Sequence, residues 1–349
     1  MDTNNGNGIL EEFRLEFLAV WHRLPNKAFF FGLLAAWLVL FHFLGNSTLG
    51  YVVTHSLFEW MYSAYTAGGQ DLVEAEDAYA LMIPVVVIGL MWWKRKELLA
   101  VEIKPWWPAL ILVAGGLSLH VLGYVVQQQR ISIVGLFTGI YGLMGLAWGF
   151  GWLRASFFPF FLFAFCVPLG SLSEPITFRL RLLVSQLVEF ICHFFLAIDV
   201  VREGTGLKDP TGRYQYEVAA ACSGIRSLIS TFAFAVVLAF VSLGAWWKRF
   251  AMIASAVPLA VLGNLLRMLS IVIAAELGGQ DAGKWVHDGG PGGVFSLMPY
   301  IPAFIGLLLL ERYLSAREPR PPRGSIRSHQ AGEPSEKLGA PTESVSTGV

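Results

Sequence analysis

Apolar stretches at or near membrane-spanning length recur at about 28–44, 79–93, 106–124, 131–150, 155–170, 226–244, 251–275 and 293–310, leaving little chain to build anything else. Hydrophobic residues are 55% of the 349 and charged residues 14%, where a soluble domain carries roughly 25% charge. A chain this poor in charge cannot cover a water-facing surface. The expectation is an all-α polytopic membrane protein, a bundle of about eight transmembrane helices with short outer loops.

Lysine and arginine at the ends of these stretches set the orientation. Arg14, Arg23 and Lys27 precede the first span, Lys94, Arg95, Lys96 and Lys104 lie between the second and third, and Arg154 lies between the fourth and fifth. Lys248 and Arg249 separate the sixth from the seventh, and Arg312, Arg317, Arg320, Arg323 and Arg327 follow the eighth. With both termini cytoplasmic, every cluster falls inside. Residues 45–78, with Glu59, Asp71, Glu74, Glu76 and Asp77 but no Lys or Arg, and 125–130, with only Arg130, then lie outside.

The chain thus divides into a cytoplasmic N-terminal segment, 1–27, a transmembrane domain, 28–312, and a Pro-, Ser-, Glu- and Gly-rich disordered cytoplasmic tail, 313–349. No cleavable leader is expected, because the apolar run starting near Ala28 is followed by LGNSTLGY, without a small-x-small cleavage pattern. The expected location is the cytoplasmic (inner) membrane. TFRLRLLVSQLVEFICHFFLAI at 177–198 carries Arg179, Arg181 and Glu189 and is read as an amphipathic helix on the outer side. A turn-rich outer loop follows, in which RYQYEV can form a short strand.

Three cysteines are too few for a disulfide framework. Cys166 and Cys192 sit in apolar or amphipathic runs and read as small buried hydrophobes. Net charge is zero, so nothing points to nucleic acid, and none is expected as a partner. No Gly-x-Ser-x-Gly elbow, His-Glu-x-x-His helix, Cys-x-x-Cys knuckle or phosphate-binding glycine loop occurs. His287 and Asp288 alone are too few to hold a metal, and neither a metal nor a cofactor is expected.

Three polar residues fall on the outer side of this topology, which was set by loops containing none of them. Cys222 stands at the entrance of the sixth span, where a thiol meets both water and a lipid-embedded substrate. Ser223 and Gly224 have minimal side chains, so their N–H groups can approach a reacting carbonyl; at a helix start they would stabilise a thiolate and an oxyanion. Arg226, four residues on and on the same helix face, can lower the thiol pKa, bind a substrate carboxylate or snorkel to lipid phosphate.

Arg267 lies deep in the seventh span, where a charge costs ~2.5–3.5 kcal/mol on insertion scales, and something must offset that. Counting from Ala251 at ~1.5 Å per residue places it about 24 Å from the cytoplasmic end, level with Cys222. Asn264, one turn earlier on the same face, adds a second polar group. His287 lies in GGQDAGKWVHDGGPGG, read as the last outer loop; an imidazole can take a proton from a thiol and return it to a leaving amine. His55 and His193 are spare outer candidates. Glu217, Tyr214 and Tyr216 could line a peptide groove.

The strings EVAAACSGIRS around Cys222, GNLLRM around Arg267 and HDGGPGG from His287 onward, in this order, resemble the exosortase/archaeosortase family of polytopic membrane cysteine transpeptidases or proteases. The resemblance covers roughly 28–312, its specific part 217–300. It implies Cys222 as nucleophile, with Arg267 and His287 as the partner residues, on a fold unrelated to that of the sortases, which use the same three residue types. It also implies membrane-anchored protein substrates whose C-terminal sorting signal joins a short motif, a transmembrane helix and a basic end. Cleavage would run through a thioester, with water, an amine or a surface polymer as acceptor. The alternative is a non-catalytic polysaccharide export or assembly factor in which the trio binds without cutting. A transporter fits less well, since the inner half of the spans offers few polar groups.

Overall fold

The computed structural model describes residues 4–48, 52–67, 75, 77–169, 174–217 and 225–316. Helix α1 (Asn4–Arg23) meets α2 (Lys27–Phe43) at a bend of 92°. The N-terminal segment, read as cytoplasmic without assigned structure, is therefore helical. Phe13 and Phe17, one turn apart, pack their rings at a tilt against Trp92, and Glu16 pairs with Arg95 at 2.5 Å. A second helix absent from the reading is α3 (Leu57–Thr66), in the stretch taken as the first outer loop; the Ser56 hydroxyl caps it by accepting from the Glu59 N–H at 3.3 Å.

The membrane-type helices are α4 (Ile83–Trp93), α6 (Leu110–Val125), α7 (Gln129–Trp148), α8 (Phe150–Phe161), α10 (Ile225–Ser242), α11 (Trp246–His287) and α12 (Tyr300–Ser315), with short α5 (Arg95–Ala100) after α4. Glycines let them approach. A Cβ added to Gly135 of α7 would stand 2.5 Å from the Gly116 carbonyl of α6, and one on Gly139 would stand 2.0 Å from the ring of Trp37. This GxxxG spacing seats α6 and α2 against α7, and the Trp37 indole N–H donates to the Leu136 carbonyl at 3.1 Å.

Each expected apolar stretch is at least partly helical. Among the described residues three helices, Trp107–Val125, Gln129–Trp148 and Trp246–His287, are long and apolar enough to cross a membrane by themselves, or four if the bent α1–α2 pair is one span. Two of the others, α4 and α8, are shortened where 3₁₀ turns replace regular helix, at Ala78–Leu81 before α4 and Leu162–Cys166 after α8. Helix length alone therefore does not establish eight crossings.

A second core forms around α9 (Glu174–Ile191), in the segment read as an amphipathic helix, which a π-turn (Cys192–Leu196) extends. Strands β1 (Val201–Glu203), β2 (Gly206–Lys208) and β3 (Gln215–Glu217) form an antiparallel sheet in that order, with Leu207 opposite Arg202 and Tyr216. Val184, Val188 and Cys192 of the helix bury with Leu207, Tyr214 and Tyr216 against Met268, Ile271, Val272 and Ala275 of α11. The expected strand in RYQYEV is β3. Open-edged sheets do not occur in hydrocarbon, so this unit belongs at one end of the bundle.

Candidate functional site

The site is built around a break in α11. At Gly279 the backbone takes φ 77°, ψ −171°, a conformation available essentially to glycine alone. The helix then turns back on itself. Gly283 in the returning segment lies so near Ala275 that an added Cβ would come within 2.9 Å of that side chain, and within 2.3 Å of the Tyr216 hydroxyl. The stretch read as a glycine-rich loop is thus helical through His287, followed by a 3₁₀ turn at Pro291–Leu297. Gly289, Gly290 and Gly293 all have positive φ, which accounts for the glycine run.

The reversal brings Arg267 to His287. In an unbroken helix, residues this far apart would be separated by about 30 Å. Here the Arg267 Nη2 donates to the His287 carbonyl at 3.2 Å. The arginine is only 6% exposed, and its Nε is buried without a hydrogen-bond partner among the described residues. A buried, partly unpaired guanidinium is costly in a membrane protein, and such a group is suited to receive an anion or a carbonyl oxygen. Asn264, one turn away, is also buried. His287 is one-third exposed, with Nδ1 3.0 Å from the Asp288 Oδ1.

The sheet is fastened to the same part of α11. Arg213 pairs with Glu276 at 2.7 Å, and the Tyr214 hydroxyl reaches the other Glu276 oxygen at 3.3 Å. Gln280 accepts from the Gln215 N–H at 2.9 Å and donates to the Gln215 carbonyl at 3.2 Å, while the Tyr216 hydroxyl donates to the Gln280 carbonyl. Burial raises the phenol pKa of both tyrosines, Glu276 adding to the effect at Tyr214, so both keep their protons as donors. They are buried in the joint between β3 and α11, where the sequence reading had them lining a groove.

Cys222, Ser223 and Gly224 lie outside the described residues, and Arg226 is described only as part of the α10 backbone. β3 ends at Glu217, a few residues before Cys222, and α10 begins just after it. Of the spare histidines, His193 faces Asp199 at 3.7 Å, and the His55 carbonyl accepts from the N–H groups of Gly45 and Asn46. Glu276, Gln280 and the bond to Asp288 were not anticipated. Their signal was the polar spacing Glu-x-x-x-Gln across a Gly-Gly pair in an otherwise apolar helix.

Among known families, the model for transmembrane exosortases matches residues 70–309, well over half of the chain. The chain belongs to the exosortase family. It is an α-helical membrane protein of that family, and the match spans β3, α10, all of α11 and most of α12. No curated protein and no solved structure matches the chain.

Proposed function

We propose that this exosortase is a cysteine transpeptidase or peptidase that removes the C-terminal anchor of membrane-tethered proteins. Cys222 attacks the scissile carbonyl, His287 takes the thiol proton and delivers it to the leaving amine, and Arg267 steadies the oxyanion or orients the peptide. The thioester then passes to an amine, a surface polymer or water. Ser223, Gly224, Arg226 and Asn264 line the substrate site. In this reading the chain crosses the cytoplasmic membrane eight times with both termini inside, and the chemistry takes place at the extracytoplasmic boundary.

One observation carries the reading. A buried arginine with an unpaired Nε donates to the main chain of His287 across a helix reversal, and β3, clamped to that same joint, ends five residues before Cys222 in the sequence. Positive charge, imidazole and thiol are the parts of a cysteine acyl-transfer site. The test is Cys222→Ala in cells producing an anchored substrate: anchor removal should cease while the variant still inserts in the membrane. Continued cleavage would reject the proposal. Covalent trapping by a peptide-mimicking electrophile at Cys222, and not at Cys166 or Cys192, separates catalysis from simple binding.

A further inference from the structure

The geometry points to Asp288 as the positioning residue of His287: its carboxylate holds the imidazole Nδ1 and leaves Nε2 to exchange protons with the thiol. The inference rests on the Cys222–His287 reading above and adds a third member to it. Its basis is the Nδ1–Oδ1 contact of 3.0 Å and the fixed position of both residues. Asp288 ends α11 with its N–H donating to the Lys284 carbonyl at 2.8 Å, and the His287 carbonyl is held by Arg267. Both main chains are therefore anchored, and the carboxylate, itself more than half exposed, faces the ring.

A neutral imidazole carries one proton, on either nitrogen. A carboxylate accepts and cannot donate, so Asp288 selects the Nδ1–H tautomer and leaves the Nε2 lone pair as the base. Proton and electron pairs then balance. The Sγ proton moves to Nε2 as the Sγ pair bonds the carbonyl carbon, and the imidazolium is stabilised at Nδ1 by the Asp288 charge. When the C–N bond breaks, the Nε2 proton leaves with the amine. The acceptor gives its proton to Nε2 as it attacks the thioester, and that proton returns to Sγ. Asp288 takes up no proton in these steps, the role an acidic partner has in a hydrolase triad.

The return segment itself carries Asp281, Lys284 and Asp288, and Arg267 and the Tyr216 phenol face it from the first part of α11 and from β3. Arg267 opposes a positive ring, whereas Asp288 is in direct contact with it. Loss of Asp288 should therefore weaken the imidazolium and, through it, the paired thiolate.

The test is alkylation of the full-length protein in detergent by iodoacetamide, with the modified cysteine identified by mass spectrometry and the Cys222 rate followed against pH. His287→Ala should move the midpoint of that profile upward. Asp288→Ala should move it in the same direction by about half to one pH unit, lowering the rate at neutral pH roughly 3- to 10-fold, with Asp288→Asn intermediate. A structural disturbance would instead reduce the reactive fraction without moving the midpoint. If His287→Ala shifts the profile and neither Asp288 variant does, the positioning role is overturned while the Cys–His reading stands. If His287→Ala leaves the profile in place, the underlying reading fails and Asp288 falls with it.

Discussion

The side-chain amide of Gln280 meets the main chain of Gln215 at both polar atoms, accepting from its N–H at 2.9 Å and donating to its carbonyl at 3.2 Å. It occupies the edge of β3 as a neighbouring strand would, satisfying groups that an open edge leaves unpaired. Gln280 directly follows the helix break, and β3 ends at Glu217, five residues before Cys222 in the sequence, so under the proposed function this one side chain would couple the cysteine-bearing segment to the segment bearing His287.

Replacing Gln280 by Ala should therefore reduce turnover while leaving the helices inserted. A shift of about 1 Å between reacting groups can cost about 100-fold in rate, and a loss of 10- to 100-fold in kcat is expected. Gln280→Glu should be no better, since a carboxylate repels the Gln215 carbonyl it replaces as donor partner. Anchor removal from a membrane-tethered substrate is the measurement, normalised to inserted protein. Wild-type turnover in both variants would show the clamp to be dispensable.

Gly279 is the second control point. At φ 77°, ψ −171°, any side chain is strained by about 1–3 kcal/mol, and the relaxed alternative is a straight helix that carries His287 away from Arg267. Gly279→Ala should abolish activity, although an added Cβ meets no atom there, because the cost lies in the backbone conformation alone. Hydrogen exchange at the Gln215 amide, which donates to the Gln280 side chain just past the break, reports the reversal: it should be slow in the wild type and faster with Gly279→Ala.

How far the sequence revealed this arrangement depends on range. Apolar runs are local, so the helices in the membrane-type segments, the amphipathic α9 and the strand in RYQYEV were legible. Arg267 stood out because a charge in an apolar helix demands an explanation. The helix reversal did not, because its signal is one glycine of a Gly-Gly pair, and glycine is as common in loops as in sharp breaks. The clamp by Gln280 and Glu276 joins residues more than sixty positions apart, a distance that periodicity cannot read. Helix α1 was hidden by a polar start and a mixed face.

The proposed function gives Arg267 a second task besides holding the His287 carbonyl, and substitutions should separate the two. With Nη2 on the His287 carbonyl and Nε left over, lysine can replace the charge but not the separately placed nitrogens of the planar guanidinium fork. Arg267→Lys should retain most of the stability and lose activity by 100-fold or more, on the order of one oxyanion donor removed. Arg267→Ala should also lose about 1.5–3 kcal/mol of stability through the missing charged hydrogen bond. Thermal unfolding in detergent, set beside turnover, distinguishes the two; equal activity of Lys and Arg would remove the substrate-facing role.

The three thiols should differ sharply in reactivity. Cys192 is buried in the core between α9 and α11, and burial pushes its thiol pKa up to about 11; Cys166 is buried under α3, beside the Tyr65 hydroxyl that donates to its carbonyl. Only the thiolate reacts with an alkylating agent. At pH 7–8 iodoacetamide should therefore label Cys222 alone in the folded protein and all three cysteines after denaturation. Labelling of Cys192 at a rate comparable to Cys222 would mean that the second core opens readily.

The β2–β3 turn carries its own pH dependence. The Thr211 hydroxyl, foremost, and the N–H and guanidinium of Arg213 hold the Asp209 carboxyl below its usual range, against the opposing effect of burial. A carboxyl with a lowered folded-state pKa contributes stability that is complete above its unfolded value, about 3.9, and that fades as pH falls through the folded value. The hairpin should thus be fully protected at neutral pH and loosen below about pH 4. Asp209→Asn should lower protection at pH 7 and remove the further loss on acidification. Hydrogen exchange of residues 206–216 at several pH values measures both effects. Because β3 is the strand clamped by Gln280, Asp209→Asn should also reduce turnover at neutral pH, by less than Gln280→Ala does; an acid-sensitive hairpin that persists in the Asn variant would place the titrating group elsewhere.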